Sequence, residues 1–439
     1  MALSGIQIYK LLPQTNCKEC GYPTCLAFAM KLAAKQAELS DCPYVSDEAK
    51  AQLAESSAPP IRLVNLKANG HEVKVGNETV LFRHEKTFYN RPGLFVRLRD
   101  DGEEVALKQK VSAADAYSVN YVGIELALDG FAIEATSGDP GRFAGAVQAV
   151  RALTSKPLIL MSADPDVLLA GLKALEGETP LLYGANADNW DALAALARQY
   201  KTALVVSGGS LEELAELTEK IKATGLEDLA LEPQAPTLAG QLALNTQIRR
   251  LAIKKNFRPL GYPTVAFPTT PEAAVQAIAK YAGFVILDDF APELVYPLLV
   301  LRQNIYTDPQ KPIQVQPGLY EINNPTALDP VLVTTNFSIT YFSVANEVES
   351  SGLPAWLLVT DAEGMSVLTA WAAGKFDAER IAKAVKQFDV AAKVSQKRVV
   401  LPGHVAVLSG EVEEELPGWE IRVGPREAVD LPKFMKQAL

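Results

Sequence analysis

Apolar and polar residues alternate along this chain with different periods, and the changes of period divide it. Residues 61–85 (IRLVNLKANGHEVKVGNETVLFRHE) follow a period of two, broken at Asn69-Gly70 and Gly76-Asn77. That pattern predicts two or three antiparallel strands joined by tight turns. From 94 to about 306, short apolar runs are each followed by roughly 20 residues of helical periodicity. The runs fall at 94–98, 131–136, 158–161, 181–183, 203–206, 229–231, 265–267 and 284–287. Eight strands alternating with helices predict a (β/α)8 TIM barrel, with an open parallel sheet as the alternative.

Beyond 330 the same alternation resumes. Strands are expected at 331–335, 355–360, 398–401 and 419–423, with helices from 338 and from about 365. This reads as a Rossmann-like α/β unit. Its strands run into Thr334-Thr335-Asn336, Asp361-Ala-Glu-Gly364, Pro402-Gly403-His404 and Gly424-Pro425-Arg426. A parallel sheet would gather these loops at one edge, where open α/β sheets bind ligands. No G-x-G-x-x-G follows the first strand, which argues against a dinucleotide. At the other end, short helices are expected at 6–12 and 26–38. Linker-like stretches at 56–60 and 307–330 then set three domains at 1–58, 59–310 and 311–439.

Composition adds exclusions. The 439 residues are 48% hydrophobic and 21% charged, ordinary values for a globular chain of about three domains. A net charge of −10 leaves no basic stripe for nucleic acid. No apolar run reaches the ~18 residues of a membrane span. The opening Met1-Ala-Leu-Ser-Gly5 lacks a basic n-region and a long apolar core. A cytoplasmic protein is expected. His71 and His84 lie on the alternating segment without acidic or cysteine companions, and read as exposed strand residues.

All four cysteines lie near one end, as Cys17-Lys-Glu-Cys20-Gly-Tyr-Pro-Thr-Cys25 and Cys42-Pro43, spaced C-x2-C-x4-C-x16-C. Such thiolates can surround one Zn²⁺ or a [4Fe–4S] cluster. Three points favour the cluster. The x2/x4 spacing wraps three ligands round one corner, Gly21 and Pro23 permit a tight loop, and Cys42 is followed by proline. A zinc knuckle is the alternative. A disulfide framework could not staple so long a chain from one end. At the ends of the barrel strands stand Arg99-Asp100, Ser162-Ala-Asp164, Gly184-Ala-Asn186, Ser207-Gly-Gly209 and Asp288-Asp289, with no Cys or His among them. Asp164 and Asp188 read equally well as helix N-caps. A docking or structural barrel is the better reading than a catalytic one.

The cysteine motif, the barrel and the final α/β unit together resemble the large (gamma) subunits of corrinoid iron–sulfur proteins of the reductive acetyl-CoA pathway. The most specific stretches are CKECGYPTCLAFAMKLA, TTNFSITYF and DAEGMSVLTAWAAGKF. The resemblance implies a cobalamin held by the C-terminal unit and shared with a separate small subunit. Cobalt would cycle between Co(I) and methyl-Co(III). It would take the methyl group from methyltetrahydrofolate (or a methyl-pterin) with the help of a methyltransferase, and give it to acetyl-CoA synthase/CO dehydrogenase. A [4Fe–4S] cluster on Cys17, Cys20, Cys25 and Cys42, fed by a donor such as ferredoxin, would return accidentally oxidised Co(II) to Co(I). No nucleic acid or membrane partner is implied.

Many cobalamin domains supply a lower ligand from a D-x-H-x-x-G loop. Here the corresponding loop is Asp361-Ala-Glu363-Gly-Met-Ser366, with Glu363 where the histidine would stand. The resemblance therefore implies a base-off corrinoid with no protein histidine under cobalt, His404 sitting after another strand. For corrin contacts it points to Thr335, Tyr341, Gly364, Met365, Ser366, Val367, Leu368, Thr369, Gly403, Gly424 and Pro425, with Thr369 nearest the lower face of cobalt. Cobalt must face several partners in turn, so the linkers at 56–60 and 307–330 are expected to act as hinges. Two rival readings are an iron–sulfur electron-transfer or activator protein without corrinoid, and a barrel methyltransferase that binds the pterin itself.

Overall fold

The computed structural model describes residues 5–438 apart from 34–36, 38, 47, 51–52, 54–58, 86, 89, 122–123 and 308–312. The expected linkers at 56–60 and 307–330, and the end of the helix expected at 26–38, thus lie partly outside the described residues. The strands run in chain order as β1 (Val64–Ala68), β2 (His71–Val75), β3 (Gly93–Arg99), β4 (Ser118–Tyr121), β5 (Ile124–Ala127), β6 (Gly130–Glu134), β7 (Leu158–Met161) and β8 (Leu181–Ala185). They continue with β9 (Ala203–Gly208), β10 (Leu229–Pro233), β11 (Thr264–Ala266), β12 (Ala282–Leu287), β13 (Gly318–Ile322), β14 (Val331–Thr335), β15 (Ala355–Thr360), β16 (Arg398–Leu401) and β17 (Glu420–Val423). The chain forms two compact units, residues 1–117 with 127–306, and residues 118–126 with 307–439.

In the first unit, eight parallel strands close a barrel in the order β10-β11-β12-β3-β6-β7-β8-β9. Each contains or overlaps one of the eight apolar runs. They read so plainly because a strand buried on both faces carries apolar residues at successive positions. Every residue of LILM in β7 and of AGFVIL in β12 is buried. The helices between them start on local signals. Asp139, Asp164, Ser210, Thr237 and Thr270 each cap a helix by accepting a backbone N–H. Asp188 does not cap its helix, since the N-cap is its neighbour Asn189.

The alternating segment becomes the hairpin β1–β2, with Val64 opposite Val75 and Leu66 opposite Val73. The inward residues Val64, Leu66, Val73 and Val75 share one core with Phe95 and Phe284 inside the barrel. Lys67 pairs with Thr179 just before β8, so the hairpin closes the barrel at the N-terminal ends of its strands. Its outward side explains the exposure of His71. Ahead of it, the helices Gly5–Leu11 and Cys25–Ala33 pack Ile8, Phe28 and Ala29 into a small core of their own.

The second unit is a five-stranded sheet in the order β13-β15-β14-β16-β17. Four strands are parallel, as expected, but β13 runs antiparallel on β15. This corrects the reading of 307–330 as wholly linker. Strand β13 is an edge strand, half-exposed along most of its length, and lacks the buried apolar run that marks an inner strand. Strands β14 and β15 are fully buried, and separate hydrophobic clusters hold residues of the sheet and of the helices around it. The pairing of β4 with β5 was not foreseen either, and the Tyr121 ring lies tilted against Phe342 of this unit.

Candidate functional site

In the cysteine module, Asn16 organises the loop. Its side-chain oxygen accepts the N–H of Cys25 at 2.8 Å, and its own N–H donates to the Cys25 sulfur at 3.3 Å. Cys25 therefore starts its helix tied back to the residue preceding Cys17. Cys25 and Cys42 are buried in the module's core, Cys20 is half-buried and Cys17 is exposed; all four thiols are free. The Tyr44 hydroxyl donates to Glu19 at 2.9 Å, and that carboxylate holds the phenol above its usual pKa. Among the described residues, no three Cys, His, Asp or Glu side chains are gathered as a single-ion site.

In the second unit a cavity of about 770 Å³ opens at the C-terminal edge of the parallel strands. Of the residues expected to bind a ligand there, Ser366, Val367, Leu368, Gly424 and Pro425 line it. Thr335 lies fully buried at the end of β14, next to Thr334 in the cavity wall, and neither hydroxyl has a hydrogen-bond partner among the described residues. The Gly403 N–H donates to the Pro425 carbonyl at 3.0 Å. A Cβ on Gly403 would come within 2.6 Å of the Gly424 carbonyl, so only glycine lets these two loops meet. Thr369 is exposed, its hydroxyl 3.0 Å from that of Ser366. Met365 packs against the sheet's core.

Gly364 sits in a loop fixed from below. The Asn336 side chain accepts the N–H groups of Ala362 and Gly364, and donates to Asp361 at 3.1 Å and Gln314 at 3.2 Å. Glu363 and Gly364 both take positive φ, +55° and +74°, and Glu363 pairs with Lys375 at 2.6 Å. Tyr341 is not brought to this cavity. It stacks edge-on against Tyr320 and Phe342, and burial raises its pKa. His404, set aside in the sequence reading as following another strand, also lines the cavity, 3.9 Å from Glu427, and one face of the helix Ser338–Ser351 was missed by that reading. Ile339, Phe342, Ser343 and Asn346 of that face recur at three- and four-residue spacing, a signal that was available. Ile339, Leu368 and Val429 line the cavity while remaining exposed, which suits an apolar occupant.

The barrel's C-terminal mouth is polar. Arg97 and Arg99 bind Glu134 and Asp288, and Asp100 accepts from Thr136 and Ser137. Across the mouth, Tyr183 and Ser207 donate to Glu232.

A family model described as "CO dehydrogenase/acetyl-CoA synthase delta subunit" matches residues 63–435, and one described as "Putative Fe-S cluster" matches residues 12–44. Among solved structures, dihydropteroate synthase from Thermus thermophilus aligns with 54% of this chain and 98% of its own, at 16% identity and a TM-score of 0.39. The corrinoid/iron-sulfur protein large subunit of Moorella thermoacetica is 47% identical over 445 residues, covering 100% of both chains. Subunit gamma 2 of the acetyl-CoA decarbonylase/synthase complex of Methanosarcina mazei is 37% identical, covering 99% of this chain and 98% of its own. With full-length likeness to both, the chain belongs to the family of corrinoid/iron–sulfur protein large subunits and acetyl-CoA decarbonylase/synthase gamma subunits.

Proposed function

We propose that this chain is a methyl carrier. It holds a corrinoid in the cavity of the second unit, accepts a methyl group from methyltetrahydrofolate or a methyl-pterin, and delivers it to acetyl-CoA synthase. The observation that carries this reading is the match between that cavity and the stretch DAEGMSVLTAWAAGKF, whose Ser366, Val367 and Leu368 form part of its wall. Bound corrinoid supplies a cobalt that can take up and release the methyl group as a two-electron nucleophile and electrophile in turn.

The residues present fit such a group. Exposed Ile339, Leu368 and Val429 offer apolar contact to a flat macrocycle. The close loops at Gly403 and Gly424 let it approach backbone, and Thr334, whose buried hydroxyl has no partner among the described residues, lies in the cavity wall. Pro425 lines this surface, Thr335 follows Thr334 of its wall, and Gly364, Met365 and Thr369 flank its Ser366–Leu368 stretch, whereas Tyr341 lies away from it against Tyr320 and Phe342. Base-off binding is supported by the 361–366 loop. Glu363 stands where a ligand histidine would be, and Lys375 neutralises its carboxylate. His404 lies across the cavity on a different loop.

Cys17, Cys20, Cys25 and Cys42 are the proposed ligands of a [4Fe–4S] cluster, which supplies single electrons to recover oxidised cobalt. Thiols free of disulfides, their C-x2-C-x4-C-x16-C spacing and a loop tied to Cys25 by Asn16 support the assignment. Cluster module, barrel and corrinoid unit would then be three working parts of a cytoplasmic heterodimer with the small subunit, meeting the methyltransferase, the synthase/CO dehydrogenase and a ferredoxin-like donor. No described helix is long and apolar enough to cross a membrane.

The test is an anaerobic spectrum and metal count on the protein co-purified with its small subunit. About four iron and one cobalt per heterodimer are expected, with Co(I) absorption on reduction. Electron paramagnetic resonance of the Co(II) form should show no nitrogen splitting from a lower ligand. Iron without cobalt would replace this reading with electron transfer alone; splitting that survives His404→Ala would overturn the base-off assignment, and splitting abolished by it would overturn the absence of a histidine ligand.

A further inference from the structure

We infer that the mouth of the barrel contains a second small-ligand site, for a small organic cation with N–H donors, anchored on Glu232. Glu232 lies in β10, next to its last residue, and is only 8% exposed. Its Oε2 accepts from the Tyr183 hydroxyl at 2.9 Å and from the Ser207 hydroxyl at 2.5 Å. Its Oε1 accepts no hydrogen bond among the described residues, and no ion pair is formed. With both hydroxyl donors on one oxygen, the other is left free to accept from a ligand in the adjoining cavity, and a cationic donor is the partner that a largely buried carboxylate favours.

That side chain lines a cavity of about 350 Å³ together with Gln234, Val265 and Phe267. Its two donors, Tyr183 and Ser207, line an adjoining cavity of about 480 Å³ that shares Gln234. Among the described residues, no Lys, Arg or His lines either cavity, whereas Glu134 and Glu213 do. Arg97 and Arg99 at the same mouth are engaged by Glu134 and Asp288. The Tyr183 phenol is pushed well above its usual pKa by burial and then by the charge of Glu232, so it stays a donor to that carboxylate. Tyr183 and Phe267 meet edge to face with ring centres 5.0 Å apart, adding aromatic surface that favours a cation. Everything involved lies at the C-terminal face, where barrels bind ligands.

An amidinium or primary ammonium would satisfy this geometry, placing an N–H on Oε1 and its apolar body against Phe267 and Val265. The site is in the first unit and does not depend on the corrinoid reading. The test titrates the intact complex with benzamidinium, using neutral benzamide and anionic benzoate as controls, by calorimetry. Saturable benzamidinium binding is expected, weaker by about tenfold or more in Glu232→Gln, as for loss of a charged hydrogen bond, with iron and cobalt contents unchanged. A crystal soaked in benzamidinium should show the amidinium within hydrogen-bond reach of Glu232, and this reads out the site should the variant fail to fold. Equal affinity for benzamide, an unaffected folded variant, benzamidinium bound elsewhere, or no saturable binding would each overturn the proposal.

Discussion

The Asn336 side chain accepts the backbone N–H of Gly364 at 3.0 Å, joining the loop after β14 to the loop after β15. It accepts Ala362 N–H at 2.9 Å through the same oxygen, and is itself 1% exposed. One buried amide thus sets the shape of the segment that leads into Ser366–Leu368.

Asn336→Ala removes the acceptor from two buried N–H groups, at about 1–3 kcal/mol for each group left unsatisfied. The thermal midpoint of the purified complex and its cobalt content should both fall. Unchanged values for both would remove Asn336 from this role.

Gly403→Ala drives a methyl group into the backbone of Gly424, Pro425 and Arg426, with the nearest atom at 2.6 Å. Such overpacking costs about 1–3 kcal/mol, and cobalt should be lost with it. Gly410→Ala, in the helix Ser409–Glu415 with nothing within 4 Å, is the control. It should leave cobalt content unaltered and stabilise by about 0.5–1 kcal/mol, measured by urea unfolding.

Cys42→Ala should abolish most iron binding yet leave cobalt in place, because the cysteine module and the cavity proposed for the corrinoid belong to different units. Atomic absorption on the purified complex measures both. Loss of cobalt together with iron would show that the two sites do not load independently.

Asp288 tests the electrostatics of the barrel mouth. Hydrogen bonding from Arg97, then the charges of Arg97 and Arg99, hold its carboxyl below the usual range. A depressed folded-state pKa gives stability that is present above the unfolded value of about 3.9 and is lost as pH falls through the folded value. Asp288→Asn should therefore lower the urea midpoint at pH 7, and the gap to wild type should close as the medium is acidified below about pH 4. A gap that does not narrow with acid would mean that the ion pairs contribute nothing.

Leu66 is fully buried where the β1–β2 hairpin closes the barrel. Leu66→Ala should destabilise the first unit by about 2–5 kcal/mol, read by denaturant unfolding. A loss below about 1 kcal/mol would fall short of any buried leucine truncation and show that the hairpin is a detachable cover.

The chain's apolar runs and its cysteines were legible because each answers to a local rule. A doubly buried parallel strand must be apolar at successive positions, so the eight barrel strands and the inner strands β14, β15 and β16 of the second unit could be located from the sequence, while β17, an edge strand reading EIRV, was placed by its alternation and the Gly424-Pro425 turn that follows it. Thiol ligands close in sequence announce themselves by spacing. Edge strands obey no such rule: GLYEI of β13, SVNY of β4 and IELA of β5 are partly exposed and mix polar with apolar residues. Tyr341 and Phe342 are adjacent in sequence, but only Phe342 lines the cavity, and that difference rests on where the helix sits on the sheet.

The sequence by itself determined the order of the barrel strands and of the parallel strands of the second unit, and the cysteine set, since these depend on residue type and short-range spacing; the family was legible from the likeness of specific stretches such as CKECGYPTCLAFAMKLA. Tertiary structure decided the rest. It closed the barrel on the β1–β2 hairpin, made the second sheet mixed, set His404 in the cavity wall and left one oxygen of Glu232 without a partner among the described residues. Each of these depends on which distant side chains meet, and neither period nor composition carries that information.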